Sequence, residues 1–211
     1  MAGRDNSSEG GSAHHRLLLT SSNPGKLREY RQLASDSGIE LNLLPNFADL
    51  PAFEESAPTF AENSAGKALH YSQFTPEFVI ADDSGLVVPA LGGAPGVHSA
   101  RYAGPDATDA DRIGKLLHEM EGKPDGERQA RFVCVATLAR GRRVLAVMSD
   151  SVDGTLLRQP QGRGGFGYDP IFYFPELGRT FAEVSQEEKN RFSHRGKTFL
   201  KVFELFARLI Q

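Results

Sequence analysis

A single cysteine, Cys134, rules out an intrachain disulfide and a cysteine-rich metal centre. It lies within the apolar run Phe132-Val133-Cys134-Val135-Ala136, where a buried strand residue is expected. No apolar stretch approaches the roughly 20 residues needed to cross a bilayer, so no membrane partner is expected. Basic residues are not in excess. The 24 Lys and Arg face 27 Asp and Glu, for a formal net charge of -3. Wholesale nucleic-acid binding needs a basic field, which this balance does not supply. No Gly-x-Ser-x-Gly elbow occurs, and with Cys134 expected in the interior no nucleophile constellation is evident. A Walker A loop is missing too: the first glycine is absent, and Leu27 follows Lys26 where Ser or Thr would hold Mg²⁺.

Residues 1–15 are polar and Gly/Ser-rich, end in His14-His15, and lack the apolar core of a signal peptide. They are read as a disordered tail on a cytoplasmic protein. The remainder, 16–211, is read as one domain, and 39% apolar residues suffice for a sizeable core.

The pattern along the chain is α/β. Leu17 to Leu19 is a strand, residues 21–25 are a turn, and Lys26 to Ser37 is a helix stopped by Gly38. Ile39 to Leu44 follows as a second strand. Thr59 and Glu62 form a capping pattern for a helix to about Phe74, and Thr108 and Asp111 for one to Met120. Residues 129–151 read as a hairpin turning at Arg140-Gly141-Arg142. Ser185 and Glu188 cap a short helix to Arg191. Phe199, Val202, Phe203, Phe206, Leu209 and Ile210 then repeat at helical spacing, a core-packing stripe.

Four segments could carry chemistry. In Phe78-Val79-Ile80-Ala81-Asp82-Asp83-Ser84-Gly85, an apolar strand is expected to deliver carboxylates at its C-terminal end, before a Ser-Gly turn. Adjacent strand residues face opposite ways, so Asp82 and Asp83 cannot serve one site as equals. The loop Ser21, Ser22, Asn23, Pro24, Gly25 and Lys26 opens a helix, where backbone N–H groups, the dipole and the Lys charge suit a phosphate chain. Near it, Glu54 and Glu55 lie in a loop from which a carboxylate reaches a hard cation, while Lys67 reaches a phosphate or faces water. The third segment is Gly162 to Pro170. Its glycines allow close backbone approach, Phe166 and Tyr168 could stack on a planar base beside Gly167, and Asp169 could accept from ring N–H groups. The fourth, Lys189 with Ser193-His194-Arg195-Gly196-Lys197, gathers donors for a phosphate or a base carbonyl.

Six motifs occur in order: Ser-Asn-Pro-Gly-Lys, Phe-x-Glu-Asn-x-x-x-Lys-Ala, Ala-Asp-Asp-Ser-Gly-Leu, residues 95–102, Gly-Gly-Phe-Gly-Tyr-Asp-Pro and Ser-His-Arg-Gly-Lys. Together, over about residues 16–211, the chain resembles the Ham1/RdgB/inosine triphosphatase family of nucleotide pyrophosphatases. The resemblance implies an elongated mixed sheet flanked by helices, in two lobes around a central cleft, and a homodimer. It implies hydrolysis of dITP, ITP and XTP to the monophosphate and pyrophosphate with Mg²⁺, which cleanses the nucleotide pool. It further implies that Ser21 to Lys26 and Lys67 hold the triphosphate, and that Glu54 and Asp83 serve the metal. Asp83 would be the base for water and Ser84 a substrate contact. Phe166 to Asp169, Lys189, His194 and Arg195 would surround the base. Ser22 stands where the family's first loop often has glycine, so its φ must suit a residue with a Cβ. The alternatives are a Maf-like pyrophosphatase for other modified nucleotides and a nucleotide sensor without turnover.

Overall fold

A computed structural model of the chain describes residues 16–211; the tail expected at 1–15 lies outside the described residues. The strands are β1 (Leu17–Leu19), β2 (Leu41–Leu43), β3 (Phe78–Val87), β4 (Gln129–Arg140), β5 (Arg143–Leu156), β6 (Phe172–Phe174) and β7 (Arg179–Thr180). They form one mixed sheet in the order β2-β1-β3-β4-β5-β6-β7. β1 runs parallel to both β2 and β3, whereas β3, β4 and β5 are successively antiparallel.

Helix ends follow their sequence signals. α1 (Pro24–Ser37) is capped by Asn23, whose Oδ1 accepts the Lys26 N–H at 3.1 Å, and it stops at Gly38 with φ +68°. In α2 (Phe60–Tyr71) the Thr59 hydroxyl accepts the Glu62 N–H. α3 (Asp109–Glu119) starts on a full capping box between Thr108 and Asp111. Ser185 caps α4 (Gln186–Phe192) and Ser193 caps α5 (His194–Leu209). Ser22 causes no strain, since the only non-glycine residues with positive φ among those described are Asn46 and Arg142.

The core has two main parts. Leu17, Leu19, Tyr30, Leu33, Ile80 and Leu138 pack with Phe199, Val202, Phe203 and Phe206 of α5. Leu86, Leu116, Met120, Phe132, Ile171, Phe172 and Phe181 pack under α3 and the β5–β7 end. The α5 stripe is therefore core from Phe199 to Phe206, but Leu209 and Ile210, expected in it, lie exposed at the end of the helix. β3 and β4 contribute to both parts.

Two expectations for the strands are corrected. β3 does not end at Asp82-Asp83; it continues to Val87, with Asp82 opposite Ala136 and Asp83 opposite Val135 on β4. Ser84-Gly85 is strand, not turn. Gly85 is glycine because the Gly96 carbonyl and the Ser99 side chain lie where a Cβ would go. The second strand is also shorter than Ile39 to Leu44, reduced to Leu41–Leu43.

Candidate active site

β1 ends opposite Ile80, so β3 loses its β1 neighbour just before the acid pair. The chain turns there through residues 20–23 into α1, and Lys26, on its first turn, fills the open side. Lys26 Nζ lies 2.7 Å from Asp82 Oδ2. Burial alone would raise the Asp82 pKa, but the Lys26 and Arg195 charges hold it well below the usual carboxylate range.

Asp83 faces away from that ion pair. Its Oδ2 accepts from Asn63 Nδ2 of α2 at 3.0 Å, and its Oδ1 accepts the Ser84 N–H at 2.9 Å. Burial pushes it up to about 6; Lys26 opposes the rise, and the nearby Glu55 carboxylate adds to it. Lys67 Nζ is 2.7 Å from Glu55 Oε1, and this pairing keeps the lysine pKa raised in spite of its burial. Of the two readings for Lys67, it neither faces open water nor stands free, but is paired beside the acid pair. Glu54 is exposed in the same loop. Among the described residues no three His, Cys, Asp or Glu side chains converge as a self-sufficient metal cage.

On the Asp82 side, charges alternate through the interior. Arg195 donates to Glu29 Oε2, donates to Ser84 Oγ at 2.8 Å, and holds Nε 4.0 Å from Asp82. Lys189 Nζ lies 2.6 Å from Glu29 Oε1 and 2.5 Å from Asp169 Oδ2. The sequence Lys26, Asp82, Arg195, Glu29, Lys189, Asp169 is a chain of opposite neighbours. Burial would raise Glu29, yet Lys189 and Arg195 hold it down to about 2. His194 is stacked on Phe132 at 4.8 Å, and burial, with Arg195 and Lys189 close, keeps its pKa well below the ordinary histidine value. It is a neutral ring. Its Nδ1 and the Arg195 Nε have no hydrogen-bond partner among the described residues, although Nε keeps its longer ion-pair contact with Asp82.

One cavity is lined by Asn23, Lys26, Ser84, Phe166, Gly167, Tyr168, Asp169, Lys189, His194 and Arg195, whereas Asp82, Asp83, Glu29, Glu54 and Lys67 are not on its wall. Ser21 is buried behind the loop with its Oγ accepting the Asn23 N–H at 3.3 Å, Ser22 and Pro24 are exposed, and Gly25 is buried. Gly25 carries no Cβ because one would come within 2.5 Å of the Phe166 ring. That ring also faces Lys189 Nζ at 4.8 Å and the Arg195 guanidinium at 5.4 Å. Tyr168 is buried and its hydroxyl donates to the Ser99 carbonyl at 2.9 Å, a bracing role rather than a face presented for stacking. Asp169 is committed to Lys189 and to the Phe166 N–H, at 2.8 Å from the latter.

Sequence reasoning missed Glu29, Asn63, Phe132 and the pair Asp109 and Arg112, the last two also on the cavity wall. Asn63 carried a signal, since it follows Glu62 in the Phe-x-Glu-Asn motif. Glu29 carried one too, as an acid on the apolar face of α1.

A helix N-terminus, an acid pair of unequal acidity and a cavity walled by cations and aromatics define an α/β protein with a cleft for a large anionic ligand. Residues 17–205 match the model of the Ham1 family, and the chain belongs to that family. It is 48% identical over 194 residues to a dITP/XTP pyrophosphatase of Geobacillus kaustophilus, covering 92% of this chain and 95% of that protein. To a dITP/XTP pyrophosphatase of Desulforamulus reducens it is 44% identical over 194 residues, 92% and 96% of the respective chains. A solved HAM1 protein from Coxiella burnetii superposes with a TM-score of 0.82 at 40% identity, covering 92% of this chain and 99% of that one.

Proposed function

We propose that this chain hydrolyses ITP, dITP and XTP to the nucleoside monophosphate and pyrophosphate. The relatives named dITP/XTP pyrophosphatase support the reaction and its substrates. The observation that carries the chemistry is Asp83: a carboxylate pushed up to about 6, beside a carboxylate bound to Lys26. A base poised near neutrality takes a proton from water far better than an ordinary aspartate.

The triphosphate would lie along the α1 N-terminus, against Lys26 and Lys67, with its base in the cavity. Water attacks the α-phosphorus while Asp83 accepts its proton. The new bond joins the water oxygen to phosphorus, the α–β anhydride bond breaks, and pyrophosphate leaves with the electron pair. Asp83 and Glu54 would hold a divalent cation that completes its shell with water and phosphate oxygens; the negative setting of Asp83, to which Glu55 contributes, suits that charge. When bound, Mg²⁺ would neutralise charge on the phosphates.

The base end supports selectivity. Hypoxanthine and xanthine carry an acceptor oxygen at C6, where adenine has a donor amine. Arg195 Nε and, in its Nδ1–H tautomer, His194 Nδ1, buried without a hydrogen bond among the described residues, are the donors that such an oxygen would satisfy. A homodimer fits the open side of β5, where Val144, Leu145 and Val147 are 39%, 43% and 48% exposed and only Thr155 and Leu156 pair with β6. Two copies of such an edge can pair about a twofold axis, and sedimentation of the purified chain tests this.

Pyrophosphate release from ITP, measured beside ATP and GTP with Mg²⁺, tests the reading. Release favouring ITP supports it. Release from a different modified nucleotide instead would make this a Maf-like enzyme, and tight binding with no release would make it a sensor.

A further inference from the structure

We propose that Asp109 is a positioning residue that sets the base-facing loop by accepting the backbone N–H of Gly167. This rests on the reading that the cavity takes the purine base. Asp109 begins α3, yet the usual duty of an acid at a helix start is already filled there. Asp111 accepts the Thr108 N–H at 2.8 Å, and Thr108 Oγ1 accepts the Asp111 N–H at 3.2 Å. Asp109 turns outward instead. Its Oδ2 accepts the Gly167 N–H at 2.7 Å, across 58 residues of chain. Its Oδ1 is held by Arg112 Nη2, and Arg112 Nη1 is fixed in turn by the carbonyls of Ala100, at 2.9 Å, and Ala107, at 2.5 Å.

The consequence falls on Phe166. Gly165 and Gly167 both adopt left-handed backbone, with φ +70° and +62°, so the loop bends on each side of the ring. Two successive amides are then fastened by two carboxylates from different elements: Phe166 N–H to Asp169 at 2.8 Å, and Gly167 N–H to Asp109 at 2.7 Å. Asp169 is itself tied to Lys189, whereas Asp109 is tied to α3 and the 96–101 segment. Loss of either anchor frees the peptide that aims the ring at Gly25 and the cation pair. Asp109 also lines the cavity.

The test compares Asp109→Ser, whose hydroxyl falls one bond short of Gly167, with Asp109→Asn, which keeps an acceptor oxygen at full reach. Asp109→Ala runs in parallel. Amide hydrogen exchange without nucleotide should quicken at residues 165–168 in the Ser and Ala variants and stay near wild type in the Asn variant. KM for ITP should rise about 10- to 100-fold in the Ser variant, as for a lost hydrogen bond to a charged group, with kcat within about threefold. Asp109→Asn should recover most of that loss. Unchanged exchange in the Ser variant, or equal damage in Ser and Asn, overturns the proposal. The exchange measurement needs no substrate. Faster exchange in an enzyme that never turns over ITP would therefore sink the nucleotide reading and leave the anchor standing.

Discussion

Asp82 and Asp83 are neighbours on one strand with opposite electrostatic fates. Asp82 is locked to Lys26 at 2.7 Å and stays ionised, while Asp83, bonded to Asn63, is pushed up to about 6. The alternation of a strand puts them on different faces, and the surroundings of each face do the rest.

Asp83 works as a base only when ionised. kcat/KM should rise with pH through a midpoint near 6, and the midpoint should move lower as divalent cation is raised, because a bound cation favours the carboxylate. Asp83→Asn should lose about 10²–10⁴-fold in kcat. Retention of more than a tenth of wild-type kcat, with an unaltered pH profile, would remove Asp83 from that role. Asp82→Asn should instead show its effect in a urea melt, since it deprives Lys26 of its buried partner.

Lys26→Ala should weaken ITP and XTP to a similar degree, since Lys26 borders the phosphate end and all nucleotides share that group. Steady-state kinetics on both substrates decides. A drop confined to one base would place Lys26 at the other end of the ligand.

Glu29 holds two buried cations, Lys189 and Arg195. Glu29→Gln removes the shared partner and should cost about 3–5 kcal/mol in urea unfolding, the usual loss when a buried pair is broken from one side. Its folded pKa is about 2, below the unfolded value of 4.5, so its stabilisation is present above pH 4.5 and fades as pH falls toward 2. The wild-type acid-unfolding curve should therefore be steeper over that window than the Glu29→Gln curve. Parallel curves would mean that Glu29 does not titrate the fold.

Gly25→Ala places a methyl within 2.5 Å of the Phe166 ring. It should raise KM for ITP and destabilise the chain by about 1–3 kcal/mol, typical of overpacking. In a Phe166→Ala background the same change should be nearly neutral. An additive double-mutant cycle would show that the two do not press on each other.

The local signals were legible because their partners are close in sequence. Thr59, Thr108 and Ser185 each announce a helix by bonding an amide three residues on. The β4–β5 hairpin shows by its apolar runs around Gly141. The opposed faces of Asp82 and Asp83 follow from strand alternation alone. Two features were hidden. Ser84-Gly85 looks like a turn, and only the approach of Ser99 explains a glycine inside a strand. Glu29 shows as an acid on the apolar face of α1, but its partners do not show, because the arginine that it binds lies 166 positions away. Long-range partners leave no periodic trace.

The stop of β1 opposite Ile80 makes the chain unevenly tolerant of length changes. Between Leu19 and Lys26 the backbone must leave the sheet, cap a helix and deliver an ammonium to Asp82, so one inserted residue would rotate Lys26 off its partner by about a quarter turn or more. At the β4–β5 tip, Gly141 and Arg142 are exposed and Arg142 bonds Ser72 and Gln73 just after α2, so extra residues there would lengthen a loop at the cost of those bonds and leave Lys26 and Asp82 paired. Drift in chain length should therefore collect at the hairpin tip and be purged from the six residues between Leu19 and Lys26.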